Sequence, residues 1–339
     1  MNSSVIHVAV ASDERYVPHA AVTMLSACIH AEEGQRLRFH FMSNRVSTES
    51  LDKLRHMVEA QGHTLTSYEI DDVESFAGIK LKGTIALSSY ARLFLSSLLP
   101  QEVDRLIYLD SDSVVVDSLM RLWEYDLGDA LLGAVMDVAQ GKCNTAIGLP
   151  EHNRYINSGM LLIPLSRWRE ESVEDQLIDF LHRYQGEVFH HDQGVINAVL
   201  ANRILILPPR YNLMTFMYEF TSREIHRVFG TENFYSDDEL CEAKSHPCFI
   251  HFTESLSSRP WMKGCTHPER ELYRHVQDLT PWRDCQLEVD SRSLPLKLLV
   301  VSHRLGGVLA FSVLRKFFGL IIKLIIRLNG NMSLIKSCK

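Results

Sequence analysis

Short apolar runs alternate along most of the chain with stretches that carry an apolar residue every third or fourth position. Val5–Ala11 is such a run, broken by His7, and predicts a strand that opens onto the polar loop Ser12–Tyr16. From Pro18 to Ala31 the spacing of Ala21, Leu25, Cys28 and Ile29 is helical. Leu37–Met42 alternates as a strand does, and Thr48–Ala60 reads as a helix through Leu51, Leu54 and Val58. Leu65–Ile70 predicts a third strand, and Ser88–Leu99 a helix stopped by Pro100. Further strands are predicted at Leu106–Leu109, Leu131–Met136, Met160–Ile163, Ile204–Leu207 and Phe249–Phe252. Strands alternating with helices over about 250 residues predict an α/β fold with a mostly parallel central sheet.

One of these runs ends unusually. Leu106-Ile107-Tyr108-Leu109 leads into Asp110-Ser111-Asp112, followed by Ser113-Val114-Val115-Val116. An uninterrupted apolar strand suits burial on both faces, and two acids at its end are costly to desolvate without a cation. Ligands of open α/β sheets bind at the carboxyl ends of the strands. The pair therefore points to a divalent cation that in turn holds phosphate. The plainer alternative is a turn, which Asp and Ser both favour. Neither a Gly-x-Gly-x-x-Gly turn nor a Gly-x-x-x-x-Gly-Lys loop occurs, so a glycine cradle for phosphate is excluded.

Composition adds little except through charge. The 339 residues are 46% hydrophobic and 23% charged, room for one large domain with an appendage. Seven scattered cysteines with no Cys-x-x-Cys suggest neither a disulfide framework nor a zinc site. Met1–Val5 shows no basic segment before an apolar core, so no signal peptide is expected and a reducing cytoplasm is. The net charge of −7 conceals an asymmetry. No acid follows Asp290, while Arg292, Lys297, Arg304, Arg315, Lys316, Lys323, Arg327, Lys336 and Lys339 do. The remaining 290 residues carry a balance of −16.

Six other segments accompany Asp110-Ser111-Asp112: Ala11-Ser12-Asp13-Glu14-Arg15-Tyr16, Ser89-Tyr90-Ala91-Arg92-Leu93, Gly133-Ala134-Val135-Met136-Asp137, Tyr155-Ile156-Asn157-Ser158-Gly159, His191-Asp192-Gln193-Gly194, and His251-Phe252 with Arg259-Pro260-Trp261. In this order, from about residue 5 to 285, they closely resemble the retaining glycosyltransferases of family eight, which include bacterial lipopolysaccharide glucosyl- and galactosyltransferases. The resemblance implies a GT-A type nucleotide-sugar-binding fold over residues 1–285 and a UDP-hexose donor.

It also implies roles. Asp110, Asp112 and His251 would hold the metal, and hard oxygen ligands with one imidazole suit Mn²⁺ or Mg²⁺. Taken by itself, in the apolar run Cys248–Phe252, His251 reads better as a core histidine. Asp13 and Tyr16 match positions that hold uracil and ribose, with a capped turn as the alternative. Arg92 falls near the diphosphate and donor sugar, or forms a salt bridge to a core carboxylate. Ser111, Asp137, Asn157 and Ser158 complete the donor site. Gln193 matches the residue beneath the anomeric carbon. An amide is a poor nucleophile, which favours front-face attack past an oxocarbenium-like transition state, with Asp192 as nucleophile in the minority mechanism. The sequence departs from the family at Glu14-Arg15, where Asp-Asn is common. It departs again after His251, where Glu254 stands at a glycine position, the segment is about two residues longer, and Arg259 replaces a lysine.

Residues 294–328 are apolar but interrupted by cations, and the longest charge-free stretch, Leu305–Leu314, is too short to span a bilayer. On a helical wheel Lys297, Arg304, Arg315, Lys316, Lys323 and Arg327 share one arc, opposite Leu314, Phe317, Ile321, Ile325 and Leu328. This predicts a basic amphipathic helix in a tail of residues 286–339, lying on an anionic membrane surface. The expectation is a peripheral enzyme on the cytoplasmic face of a bacterial inner membrane. It would move glucose or galactose to a lipid-anchored oligosaccharide, with no nucleic acid partner. A nucleotidyltransferase, or a catalytically weak sugar-nucleotide or glycan-binding protein of the same fold, are the alternatives. The former lacks its glycine-rich loop, and the latter is opposed by the joint presence of Asp110, Asp112, Gln193 and His251.

Overall fold

The computed structural model describes residues 5–70, 78, 80 and 87–329, with side chains for all of these but 87 and 322–329. In chain order its strands are β1 (Val5–Asp13), β2 (Arg36–Asn44), β3 (Thr64–Glu69), β4 (Leu106–Leu109), β5 (Ser113–Val115), β6 (Leu132–Met136), β7 (Ile156–Ile163), β8 (Ile204–Ile206), β9 (Leu213–Met214) and β10 (Phe249–His251). Seven of them form a sheet in the order β3-β2-β1-β4-β7-β6-β8. Only β7 runs antiparallel to its neighbours, so the sheet is mostly parallel, as the alternation predicts. A second sheet, β5-β10-β9, pairs β10 antiparallel with β5 and parallel with β9.

Strand β4 (Leu-Ile-Tyr-Leu) is apolar throughout because both of its faces are covered. Ile107 and Leu109 of β4, with Ile6, Val8 and Val10 of β1, pack in one core with the helices Val17–Ile29 and Thr48–Glu59. Leu106 and Tyr108, with Ala9 and Ala11, face the other core, built with Trp168 and the helices Val173–Arg183 and His191–Leu200. Each buried Val, Leu or Ile side chain among them contributes about 1.5–3 kcal/mol on burial.

Two local expectations change. The predicted helix Ser88–Leu99 is a 3₁₀ helix, Leu87–Leu93, followed by one α-turn, Leu95–Leu98. Tyr90, Ala91, Arg92, Leu93, Phe94 and Leu95 are all buried, so packing on every side, rather than one amphipathic face, decides the winding. Pro100 does end it, and Arg169 Nη2 donates to the freed Leu99 and Pro100 carbonyls at 3.0 and 2.9 Å. The strand predicted at Met160–Ile163 begins four residues earlier, at Ile156, which takes Asn157 and Ser158 into β7.

The tail is the helix Leu294–Asn329, interrupted at Gly306 and Gly307, the latter at φ 61°. Its inner side rests on the helix Ser222–Phe229 and its surroundings: Val300 and Phe311 are buried, and the Phe311 ring lies 5.7 Å from Phe220. Its outer side exposes Leu294, Leu298, Val301, Leu305, Leu309, Val313, Phe317, Leu320 and Ile321. Arg315 leaves the cationic arc. Its guanidinium sits 4.8 Å over the Phe229 ring and donates to Val228 O at the end of that helix, where the dipole favours a cation. The side chains of Lys323, Ile325, Arg327 and Leu328, and all of Lys336 and Lys339, lie outside the described residues.

Candidate active site

Strand direction assembles the site. β1 and β4 are parallel, β7 runs against β4, and β6 ends beside the start of β7, with Met136 opposite Ile156. The ends of β1, β4 and β6 and the start of β7 therefore meet at one edge of the sheet, bringing together Asp13, Asp110, Asp137, Asn157 and Ser158. β10 adds His251, and the helix His191–Leu200 opens with Asp192 and Gln193.

Asp110 and Asp112 flank a loop tied down on three sides. Asp110 N donates to Gly159 O at 2.7 Å, and Ser111 Oγ donates to Ala11 O at 2.9 Å. Thr23 Oγ1, from the first helix, sits 2.9 and 3.0 Å from the Ser111 and Ser113 carbonyls. Against this loop lies His251, whose Nε2 is 3.0 Å from Asp112 Oδ1 and 3.8 Å from Asp110 Oδ2. One ligand atom from each of the three residues lies within 4.8 Å of the other two, the only such cluster among the described residues. Two carboxylates and one imidazole suit a hard divalent cation. Burial raises the Asp112 carboxyl pKa, but the His251 and Arg259 cations outweigh it and hold the group well below the carboxylate range. Burial would neutralise His251, yet Asp112 and then Asp110 raise its pKa. Close approach needs space: a Cβ on Gly159 would come within 2.3 Å of His251 Cε1.

Arg92 realises its salt-bridge reading inside the site itself. It is 3% exposed, with Nη2 2.7 Å from Asp110 Oδ1, Nε 3.1 Å from Asp192 Oδ2, and its guanidinium 4.3 Å over the Tyr108 ring. Ser158 Oγ donates to Asp192 Oδ2 at 3.1 Å. Burial raises the Asp192 pKa, with Arg92 opposing. Gln193 is gripped at both ends. Its Oε1 accepts from Ser158 N and Asn157 Nδ2, each at 3.2 Å, and its Nε2 donates to Asp137 Oδ2 at 3.2 Å.

Asp13 caps the turn after β1, accepting from Tyr16 N at 3.0 Å, so the capped turn is the arrangement found. Tyr16 is nonetheless joined to the Asp110–Asp112–His251 cluster: Arg259 Nη1 donates to its OH at 2.7 Å, while Nη2 lies 3.2 Å from Asp112 Oδ2. Arg259 Nε is buried with no partner, as are Thr253 Oγ1 and Ser258 Oγ in the same segment. Buried donors left unpaired suit a site that receives an oxygen-rich anion. Glu254 is exposed, and its charge is among those that keep Arg259 protonated.

Two supports escape sequence reading. Thr23 lies 88 residues from Ser111, and Asn212 lies 39 residues from His251 in no recognisable motif. Asn212 Oδ1 is 3.1 Å from His251 Nδ1, and its Nδ2 donates to Asn157 Oδ1 at 2.9 Å. The sole signal was an asparagine set between Tyr211 and the apolar Leu213-Met214.

Comparison with known proteins adds an independent line. The family model described as Glycosyl transferase family 8 matches residues 7–265. General stress protein A of Bacillus subtilis (strain 168) is 22% identical over 281 residues, 82% of this chain and 95% of that protein. A lipopolysaccharide 1,2-glucosyltransferase of Escherichia coli (strain K12) is 24% identical over 316 residues, 91% of this chain and 89% of its own. The crystal structure of the galactosyltransferase LgtC, with donor and acceptor sugar analogs, superposes with a TM-score of 0.66 at 24% identity, covering 81% of this chain and 96% of that one.

Proposed function

The chain belongs to glycosyl transferase family 8, and from that premise we propose that it moves glucose or galactose from a UDP-sugar, with retention, to a hydroxyl of a lipid-linked glycan such as a lipopolysaccharide core. The observation that carries this reading is the Asp110–Asp112–His251 cluster beside the unpaired Arg259 Nε. A divalent ion held there, Mn²⁺ or Mg²⁺, supplies Lewis-acid neutralisation of the leaving diphosphate. Arg259 and Tyr16 lie on the diphosphate and nucleoside side, with Asp13 at the turn beneath them. Arg92 holds Asp110 and Asp192 in place.

Gln193 stands in the sugar pocket with Asp137, Asn157 and Ser158 holding its carboxamide. An amide oxygen so fixed steadies positive charge at the anomeric carbon and excludes a stable glycosyl ester at that residue. Asp192 Oδ2 is already engaged by Arg92 and Ser158, which favours a positioning role over a nucleophilic one. Residues 1–285 serve as the catalytic unit. The tail, 286–339, serves as a peripheral anchor to an anionic cytoplasmic leaflet, laying its exposed apolar side on the lipid. By length and composition Leu294–Ile321 also suffices to cross a membrane. The burial of Val300 and Phe311 against the enzyme body favours lying on the surface.

The test is UDP release from a panel of UDP-hexoses with Mn²⁺, with and without EDTA, followed by NMR of the product's anomeric proton. The expected result is activity with UDP-glucose or UDP-galactose, loss in EDTA and an α-linked product. A β-linked product, or full activity in EDTA, refutes the mechanism. Gln193→Ala should slow turnover while leaving donor binding nearly intact.

A further inference from the structure

We infer that Asn212 is a positioning residue that selects the metal-binding tautomer of His251 and couples it to the sugar pocket; this rests on the reading of Asp110, Asp112 and His251 as metal ligands. The inference follows from hydrogen-bond direction alone. The Gly159 backbone N–H can only donate, and it donates to Asn157 Oδ1 at 2.9 Å. That end of the Asn157 side chain is therefore the acceptor oxygen. Its other end, Nδ2, donates to Asp137 Oδ2 at 3.0 Å and to Gln193 Oε1 at 3.2 Å, which only an amino group can do for a carboxylate.

The group that Asn212 presents to Asn157 Oδ1, 2.9 Å away, must then be its Nδ2. Its Oδ1 is left facing His251 Nδ1 at 3.1 Å, and Nδ1 must carry the hydrogen. Nε2, beside Asp112 and Asp110, is then the nitrogen left for a cation, which would take the place of the proton it shares with the Asp112 carboxylate in the metal-free protein. One backbone amide thus dictates the imidazole tautomer through two side-chain amides. Asn212 is fully buried and Asn157 nearly so, so water is not at hand to replace a lost partner. Flipping Asn157 or Gln193 sets like groups against each other in at least two places, and flipping Asn212 sets its oxygen against Asn157 Oδ1.

The same chain ends on Gln193. Asn212 accordingly touches neither metal nor substrate but joins the two halves of the site. Partners that fix a ligating imidazole typically change metal affinity 10–100-fold when removed.

The test titrates Mn²⁺ by electron paramagnetic resonance into the full chain as wild type, His251→Ala, Asn212→Ala and Asn212→Asp, with UDP-hexose hydrolysis measured alongside. Asn212→Ala should weaken Mn²⁺ binding at least about tenfold and also slow hydrolysis. Asn212→Asp keeps an acceptor for the Nδ1 hydrogen but sets a second acceptor against Asn157 Oδ1. It should hold Mn²⁺ within about threefold of wild type while hydrolysis falls at least about tenfold. This split is one that a merely structural role would not produce. Should Asn212→Ala fail to fold, the Asn212→Asp split decides. If His251→Ala loses Mn²⁺ but Asn212→Ala does not, or if Asn212→Asp loses it as Ala does, the positioning role is overturned and the metal reading stands. If wild type and His251→Ala behave alike toward Mn²⁺, the metal reading falls and the inference with it.

Discussion

Gly159→Ala adds a single methyl group, and its consequence can be worked out from the structure. Gly159 lies inside β7 and is not among the residues with positive φ, so alanine meets no backbone strain there. The cost is contact. The new Cβ would sit 2.3 Å from His251 Cε1, 2.5 Å from its Nδ1 and 2.9 Å from Asn157 Oδ1, where ordinary contact begins near 3.4 Å. The imidazole must retreat by about 1.1 Å. It is held between Asn212 Oδ1 at 3.1 Å and Asp112 Oδ1 at 3.0 Å, so it cannot retreat that far and keep both.

Overpacking of this kind costs about 1–3 kcal/mol, and an off-rotamer ring about 0.5–1.5 kcal/mol. A domain stable by about 5–15 kcal/mol survives that. Displacing a liganding nitrogen by roughly 1 Å, however, should cost on the order of a hundredfold in rate. The expected outcome is a folded protein by circular dichroism, with its melting temperature lowered by a few degrees. Its Mn²⁺ affinity should be weaker at least about tenfold and its UDP release about a hundredfold slower. Wild-type Mn²⁺ affinity and turnover in Gly159→Ala would refute the placement of a metal at His251 Nε2.

Three other outcomes follow from the same structure. Asp112→Asn removes a ligand charge and should lower turnover at least about a hundredfold, with added Mn²⁺ recovering little; near-normal rates would contradict a metal-held diphosphate. Burial holds the His267 pKa down to about 4, against 6.5 for an unperturbed histidine. Between pH 6.5 and 4 the unfolded chain therefore binds the extra proton, and this group withdraws up to about 3 kcal/mol of stability as pH falls. His267→Asn keeps an acceptor for the Glu269 N–H and cannot titrate, so urea midpoints at pH 7.5 and 5 should differ less in the variant than in wild type. Identical pH dependence would count against it. On the tail, Leu309→Glu with Phe317→Glu alters only exposed positions and spares Phe311. Hydrolysis should persist while sedimentation with phosphatidylglycerol vesicles is lost, and wild-type sedimentation should weaken with salt. A wild-type chain indifferent to such vesicles would end the membrane assignment.

Patterns that depend on neighbours in sequence were legible. The apolar run ending in Asp110-Ser111-Asp112 is a strand end, and the sheet is mostly parallel, because burial on both faces writes itself into consecutive residues. What depends on distant packing was not. Ser88–Leu93 carries a helical pattern but winds as a 3₁₀ helix, since neighbours enclose it on all sides. The two-residue strand β9 is too short to have a period. A helical wheel holds only one helix, so it could not show the Arg315 side chain reaching Phe229 and Val228 of another.

The site shows the same division more sharply. Asp110, Asp112, Asp192, Gln193 and His251 are polar residues with a reason to be noticed, and the fold brings them to one edge. Asn212 has none, and Gly159 is noticed only as the last residue of its motif, with no role of its own. An asparagine and a glycine acquire meaning only when a strand beginning at Ile156 passes beneath the imidazole of β10. Yet their contribution is the directional one. Acids can attract a cation from any orientation, whereas the tautomer that lets His251 share it is set by a backbone N–H transmitted through two amides. Residue types that supply charge are visible in a single chain, and residue types that supply direction become visible only once the hydrogen bonds are traced.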